Sequence, residues 1–134
     1  MNKQKLIQYI RLINTSGIGP VNFKKIVARY GGVEKALAEI SLKRKIYPKE
    51  KAEEEIMTAE IKQVRLITIE DKEYPYNLKQ IEDAPPILYA LGNVDLLQND
   101  NMLAVVGSRN ASLSARKLAE QISADVAAQN IIIV

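Results

Sequence analysis

Residues 102–112 read MLAVVGSRNAS, and the fold of the chain turns on this stretch. An apolar run, 103–106, ends in two valines and stops at Gly107. Gly107, Ser108, Arg109, Asn110, Ala111 and Ser112 form a polar cluster, residues 113–129 carry a helical spacing, and 131–134 form a second β-branched run. Strand, tight polar turn, helix, strand is the opening of a parallel βαβ unit. Strands 103–106 and 131–134 are therefore expected to be parallel neighbours joined by a right-handed crossover. Leu118, Ala119, Ile122 and Val126 are spaced to form the inward face of the connecting helix.

In such units ligands bind outside the carboxyl ends of the strands, at the turn entering the helix. The first amides of a helix are unpaired and its dipole is positive there, so the turn favours phosphate. Gly107 lets the backbone come close to a ligand. Ser108 and Ser112 carry hydroxyls suited to capping or to a phosphate oxygen, and Asn110 completes the polar turn. Arg109 adds a fixed charge with a two-pronged donor face. The stretch is neither GxGxxG nor a Walker A loop. A plainer reading has Ser112 capping the helix, Gly107 turning the chain and Arg109 as a solvated charge. These residues alone leave both readings open.

The 134-residue length allows one medium domain or two small ones. With 47% hydrophobic and 26% charged residues the composition is globular. No apolar run approaches the roughly 20 residues of a transmembrane helix. The N-terminus, MNKQKLIQYIRL, lacks the pattern of a secretion signal. Cys and His are both absent, which removes disulfides, thiol and imidazole catalysis and His-ligated zinc, and no catalytic or metal residues are assigned. A net charge of +3 permits a nucleic-acid partner without arguing for one.

Upstream, Leu6, Ile7, Ile10 and Ile13 predict an amphipathic helix over 3–13. Gly17-Ile18-Gly19-Pro20 follows, and Pro20 suits the first turn of a second helix with Val21, Phe23, Ile26, Val27 and Tyr30 as its apolar positions. Gly31-Gly32 stops it, and a third short helix covers 34–40 with Ala36, Leu37 and Ile40 inward. Helix, GIGP, helix resembles a helix-hairpin-helix or SAM-like element. In such hairpins Gly17 and Gly19 would let amides face a DNA phosphate, with Lys24 and Lys25 just downstream as a secondary DNA contact. The preferred reading is simpler: the glycines reverse the chain between packed helices.

Residues 48–64 predict a charge-rich surface helix with a thin apolar stripe at Ala52 and Ile56. A strand at 65–70, a short helix or turn at 76–81, a stiff Pro85-Pro86 connection and a strand at 87–91 lead to the βαβ unit. The expected class is α/β. A SAM-like helical domain with a linker helix occupies 1–64, and the first part of a Rossmann-like parallel sheet occupies 65–134.

Three stretches now stand in order: Tyr74-Pro75 with Leu78 and Ile81; Asp83-Ala84-Pro85-Pro86-Ile87-Leu88-Tyr89 with Gly92; and Ala104 to Ser112. Together they resemble the DNA-processing protein A family (DprA, also called Smf), in which YP, D-x-P and V-G-S-R segments lead into an extended Rossmann domain. The resemblance implies a cytoplasmic, non-enzymatic protein without a cofactor. It would bind single-stranded DNA, protect incoming DNA in natural transformation and help load the RecA recombinase, as a homodimer when full length. It places the family's phosphate-contacting arginine on Arg109, with Gly107 and Ser108 in the surrounding turn. This chain departs from the family pattern at Leu113-Ser114-Ala115, where a glycine is frequent. It also stops at Val134, before the family's S-G-x-A-x-G-x-D loop, so a fragment or a truncated gene product is expected.

Two other readings compete. A nucleotide-binding enzyme like the lysine-decarboxylase-like phosphoribohydrolases would use the same turn, but their P-G-G-x-G-T segment and catalytic Glu are absent before Val134. An adaptor would bind another protein through the helical part. A sparse aromatic content, one Phe and six Tyr without Trp, speaks against extensive base stacking.

Overall fold

A computed structural model describes residues 2–134. The chain divides into two compact units, residues 1–94 and 95–134. The first contains α1 (Lys3–Ile13), α2 (Pro20–Tyr30), α3 (Val33–Ser41), α4 (Lys49–Ile61), β1 (Arg65–Thr68), α5 (Tyr76–Gln80) and β2 (Ile87–Ala90). Asn2 caps α1, its side chain accepting from the Gln4 amide at 3.0 Å. Pro20 opens α2 as the sequence predicts.

The core lies among the helices. α1 packs against α2, α3 and α4, and this explains its burial pattern. Ile7 and Ile10 are buried as expected, but so are Tyr9 and Leu12, while Leu6 and Ile13 are only partly covered. A helix packed on several sides buries more than the single stripe its hydrophobic periodicity suggests. Of the five apolar positions expected on α2 only Phe23 is buried, and its ring meets Tyr9 at 5.2 Å between centroids, tilted by 45°. α3 adds Val33, Ala36, Leu37 and Ile40; α4 adds Ala52, Ile56 and Ala59.

β1 and β2 form an antiparallel pair, Arg65 opposite Ala90 and Thr68 opposite Ile87. β1 packs on α4, and Ile87 reaches into the helical core. Packing thus groups this pair with the helices, and the packing boundary falls after Val94, whereas the change in sequence character falls near residue 64. The loops around the pair are tied down. The Thr68 amide and hydroxyl donate to Asp71 Oδ2 at 2.7 and 2.8 Å, and the buried Tyr74 hydroxyl donates to the Pro85 carbonyl at 2.8 Å. The YP and D-x-P segments therefore meet directly. Lys5 pairs with Glu70 and joins α1 to the end of β1.

The second unit contains β3 (Met102–Leu103), α6 (Leu113–Ala127) and β4 (Ile132–Ile133), with a short 3-10 helix (Val94–Gln98) running into it. β3 and β4 are parallel, Met102 opposite Ile132 and Leu103 opposite Ile133. The βαβ reading holds, with strands shorter than expected. Backbone bonds continue the pairing on both sides, from Ile132 N to Asn101 O and from Val105 N to Val134 O, each 2.9 Å. The inward face of α6 differs from expectation. Ala119 and Val126 are half-buried, but Leu118 and Ile122 are 58% and 46% exposed. Two strands this short make too narrow a floor to cover the full apolar stripe of a 15-residue helix.

Two predictions follow from the first unit. Gly17 sits at φ +79°, a region costly for any residue with a Cβ, whereas Gly19 is extended at φ −89° with open space where a Cβ would stand. Gly17→Ala should destabilise the unit by about 1 kcal/mol or more, while Gly19→Ser should stay within about 0.5 kcal/mol of wild type; thermal unfolding compares the two. The Lys5 ammonium beside Glu70 holds its carboxyl below the usual carboxylate range, with Tyr9 contributing next. A carboxylate depressed in the folded state stabilises above its unfolded pKa and loses that contribution as pH falls through the folded value. Glu70→Gln should therefore flatten the acid limb of the stability curve below the ordinary carboxylate pKa, read as the melting temperature of both proteins from neutral to acid pH.

Candidate nucleic-acid interface

The turn between β3 and α6 is built by its own polar side chains. Ser112 caps α6, its hydroxyl accepting from the Ala115 amide at 3.2 Å. Ser108 closes the preceding bend: its hydroxyl accepts from the Asn110 amide at 3.2 Å and its carbonyl from the Ala111 amide at 3.2 Å. Both serines thus act as local caps, which is what short hydroxyl side chains do next to unpaired amides. The amides of Leu113 and Ser114 have no partner among the described residues, and neither do those of Gly107, Ser108 and Arg109. α6 carries no acidic residue in its first turn, so its positive end is not neutralised from within.

The structure brings Gly107, Ser108, Arg109, Asn110 and Ser112 together on one exposed turn. Arg109 has no ion pair or hydrogen bond among the described residues. Gly107 has neither a positive φ nor a neighbour within 4 Å of an added Cβ. Sequence reading missed Arg116 and Lys117, which lie in the opening turns of the same helix, are exposed, and also lack an ion pair among the described residues. Their signal was available: two cations four and five residues past a capping serine sit where a helix meets an anion.

The hairpin of the first unit is arranged differently. Asn22 Nδ2 donates to the Gly17 carbonyl at 3.2 Å, Arg44 Nη1 to the Ser16 carbonyl at 3.1 Å, and the Ile18 amide to the Thr15 carbonyl at 3.0 Å. Lys24 Nζ donates to the Ile81 carbonyl at 2.6 Å. Lys25 is exposed and has no ion pair among the described residues. The fold uses Gly17 and Lys24 internally, and the turn is accounted for without a ligand. The turn at 107–112 exposes its donors instead.

Comparison with known proteins places both parts. Residues 3–62 match the family described as the DprA-like N-terminal HHH domain, and residues 65–134 match the family described as DNA recombination-mediator protein A. DNA processing protein DprA of Bacillus subtilis (strain 168) is 30% identical over 71 residues, which is 53% of this chain and 24% of that protein. DNA processing protein DprA of Streptococcus pneumoniae (strain ATCC BAA-255 / R6) is 38% identical over 66 residues, 49% of this chain and 23% of that protein. The aligned stretch spans about a quarter of either relative.

The cap at Ser112 separates helix formation from anion binding. Ser112→Ala should lower the hydrogen-exchange protection of α6 by about 1 kcal/mol, and Ser112→Gly by only a few tenths. Ser112→Asp should keep the protection, because a carboxylate also caps, but should weaken any phosphate contact at the turn by like-charge repulsion. Amide exchange and anion titration of the three variants read the two effects apart.

Proposed function

The chain belongs to the DNA recombination-mediator protein A family, and on that premise we propose that it binds single-stranded DNA through the turn at the start of α6. One observation carries the reading. Unpaired amides, an uncompensated helix N-terminus and Arg109 without a counter-charge share one exposed turn after a parallel strand. Amides and dipole hold one phosphate oxygen, Arg109 grips the same group with charge-assisted and bidentate bonds, and Arg116 and Lys117 extend the positive field along the strand. The proposed role is to bind and position DNA, which needs no acid–base chemistry. In the whole protein this function would serve DNA processing in natural transformation and homologous recombination. Such a protein would shield incoming DNA in the cytoplasm, deliver it to the RecA recombinase and act as a homodimer. In this division of labour the turn at 107–112 holds the DNA backbone, and the helical domain keeps its hairpin for structure.

Phosphate contacts position a strand and carry no sequence information. Arg109→Ala should therefore weaken single-stranded DNA binding about equally for all sequences and reduce the log–log salt slope by roughly 0.7, the single-strand counterion value for one contact. Arg109→Lys should restore the slope and only part of the affinity, since an ammonium keeps the charge and loses the fork. A salt titration of the 134-residue chain checks this. Wild-type affinity and slope in Arg109→Ala would show that Arg109 is only a solvated charge.

A further inference from the structure

We propose that the open cleft of about 510 Å³ between α4 and β2 is a nucleobase-binding site, taking unpaired bases of single-stranded DNA between Tyr47 and Tyr89. The proposal rests on the DNA reading above but concerns another place in the molecule and another part of the ligand. Lys51, Glu54, Glu55 and Lys62 line the cleft from α4, and Tyr47 and Tyr89 line it from the preceding loop and from β2. Positions 51, 55, 58 and 62 recur every three to four residues, so they run along one face of the helix.

Each wall is held. The Tyr47 amide donates to Thr15 Oγ1 at 3.1 Å, and its carbonyl accepts from Arg11 Nε at 3.0 Å. The Tyr89 hydroxyl donates to Glu55, which also accepts from Asn14 Nδ2 at 3.4 Å. Glu55 is thus engaged by donors of the fold, and the Tyr89 ring is fixed with about half of its surface left to solvent. Tyr47 packs against the helical core and is only partly exposed, so Tyr89 offers the open face; a rigid, half-exposed aromatic ring is the usual platform for an unpaired base.

The charges select a base rather than a phosphate for the middle of the cleft. Two lysines stand against two glutamates, so the lining is balanced and does not attract a polyanion as a whole. Lys51 and Lys62 lie about 16 Å apart along the helix, and neither has an ion pair among the described residues. They stand towards the two ends of the helical wall, where they can meet backbone phosphates of a strand that runs along the cleft. Glu54 has no ion pair among the described residues and offers an acceptor. It suits the exocyclic amine of cytosine or adenine, whereas thymine presents a carbonyl at the equivalent edge. The cleft should therefore prefer cytosine or adenine over thymine, unlike a pure phosphate site.

The test is an amide NMR titration of the 134-residue chain with three twelve-residue probes: oligo-dC, oligo-dT and an abasic strand with the same backbone. Oligo-dC should shift amides near Tyr47, Glu54, Lys62 and Tyr89 at lower concentration than oligo-dT. The abasic strand should shift them more weakly than oligo-dC at every concentration while still shifting residues 107–112. Tyr89→Leu should weaken oligo-dC binding roughly tenfold, the loss of one stacked base, without changing abasic binding. Should Tyr89→Leu disturb the fold, the surface pair Lys51→Gln and Lys62→Gln serves instead, with the oligo-dC salt slope falling by about 1.4 for two contacts. Cleft amides that ignore oligo-dC, or move equally with the abasic strand, overturn the proposal. If residues 107–112 still respond, the DNA reading survives that failure; if neither region responds, both fall. A response of the cleft alone keeps the cleft and removes the turn.

Discussion

The contact between Tyr9 and Phe23 is the constraint on which the first unit depends. α2 places a single fully buried side chain in the core, and that side chain meets Tyr9. Large aromatic rings bury enough surface to seat a helix, and Ile26, Val27 and Tyr30 pack around this contact at the edge of the core. The Tyr9 hydroxyl is buried and makes no close hydrogen bond, but it interacts with the Glu70 carboxylate. Burial first, and then the Glu70 carboxylate, push the Tyr9 pKa upward and keep the hydroxyl neutral. Lys5 compensates the carboxylate from the neighbouring turn of α1. The centre of the helical core and the end of β1 are thereby connected through one electrostatic chain, Lys5 to Glu70 to Tyr9.

The same principle explains why β1 and β2 travel with the helices. A two-stranded antiparallel ribbon is marginal alone, and this one needs a face to rest on. It finds that face on α4, with Ile87 joining the helical core. The tyrosine and prolines that make the YP and D-x-P segments recognisable have a physical task here. The Tyr74 hydroxyl bonds the Pro85 carbonyl, and the Pro86 carbonyl accepts from the Ile69 amide at 3.0 Å. Two proline carbonyls thus tie down the end of the ribbon where Thr68 faces Ile87.

Helix positions were legible in the sequence because caps and punctuators mark them: Pro20 at the start of α2, Gly31-Gly32 after it, and Ser112 before α6 all stand where the spacing predicted. Burial was less legible. Periodicity reports which face of a helix is apolar, while the number of neighbours decides how much of it is covered. Tyr9 and Leu12 were missed because α1 has neighbours on several sides; Leu118 and Ile122 were expected inside but lie exposed because α6 rests on two very short strands. At the turn 107–112 the capping hydroxyls of Ser108 and Ser112 were legible. The cleft between α4 and β2 was not, since its two tyrosines are 42 positions apart and only the fold brings them to one cavity.

Two glycines show how the fold separates internal from external demands. At Gly17 the left-handed backbone explains the residue fully, and the hairpin carbonyls are bonded within the unit. At Gly107 neither explanation is available. Its φ is not positive and an added Cβ would meet nothing, so alanine would fit the fold as it stands. A glycine that the chain itself does not need is accounted for when something outside the chain must approach the backbone closely. The amides beside it are unpaired, the helix end it faces is positive, and Arg109 stands two residues on without a counter-charge. Under the proposed function, that approach would be made by the phosphate of a DNA strand.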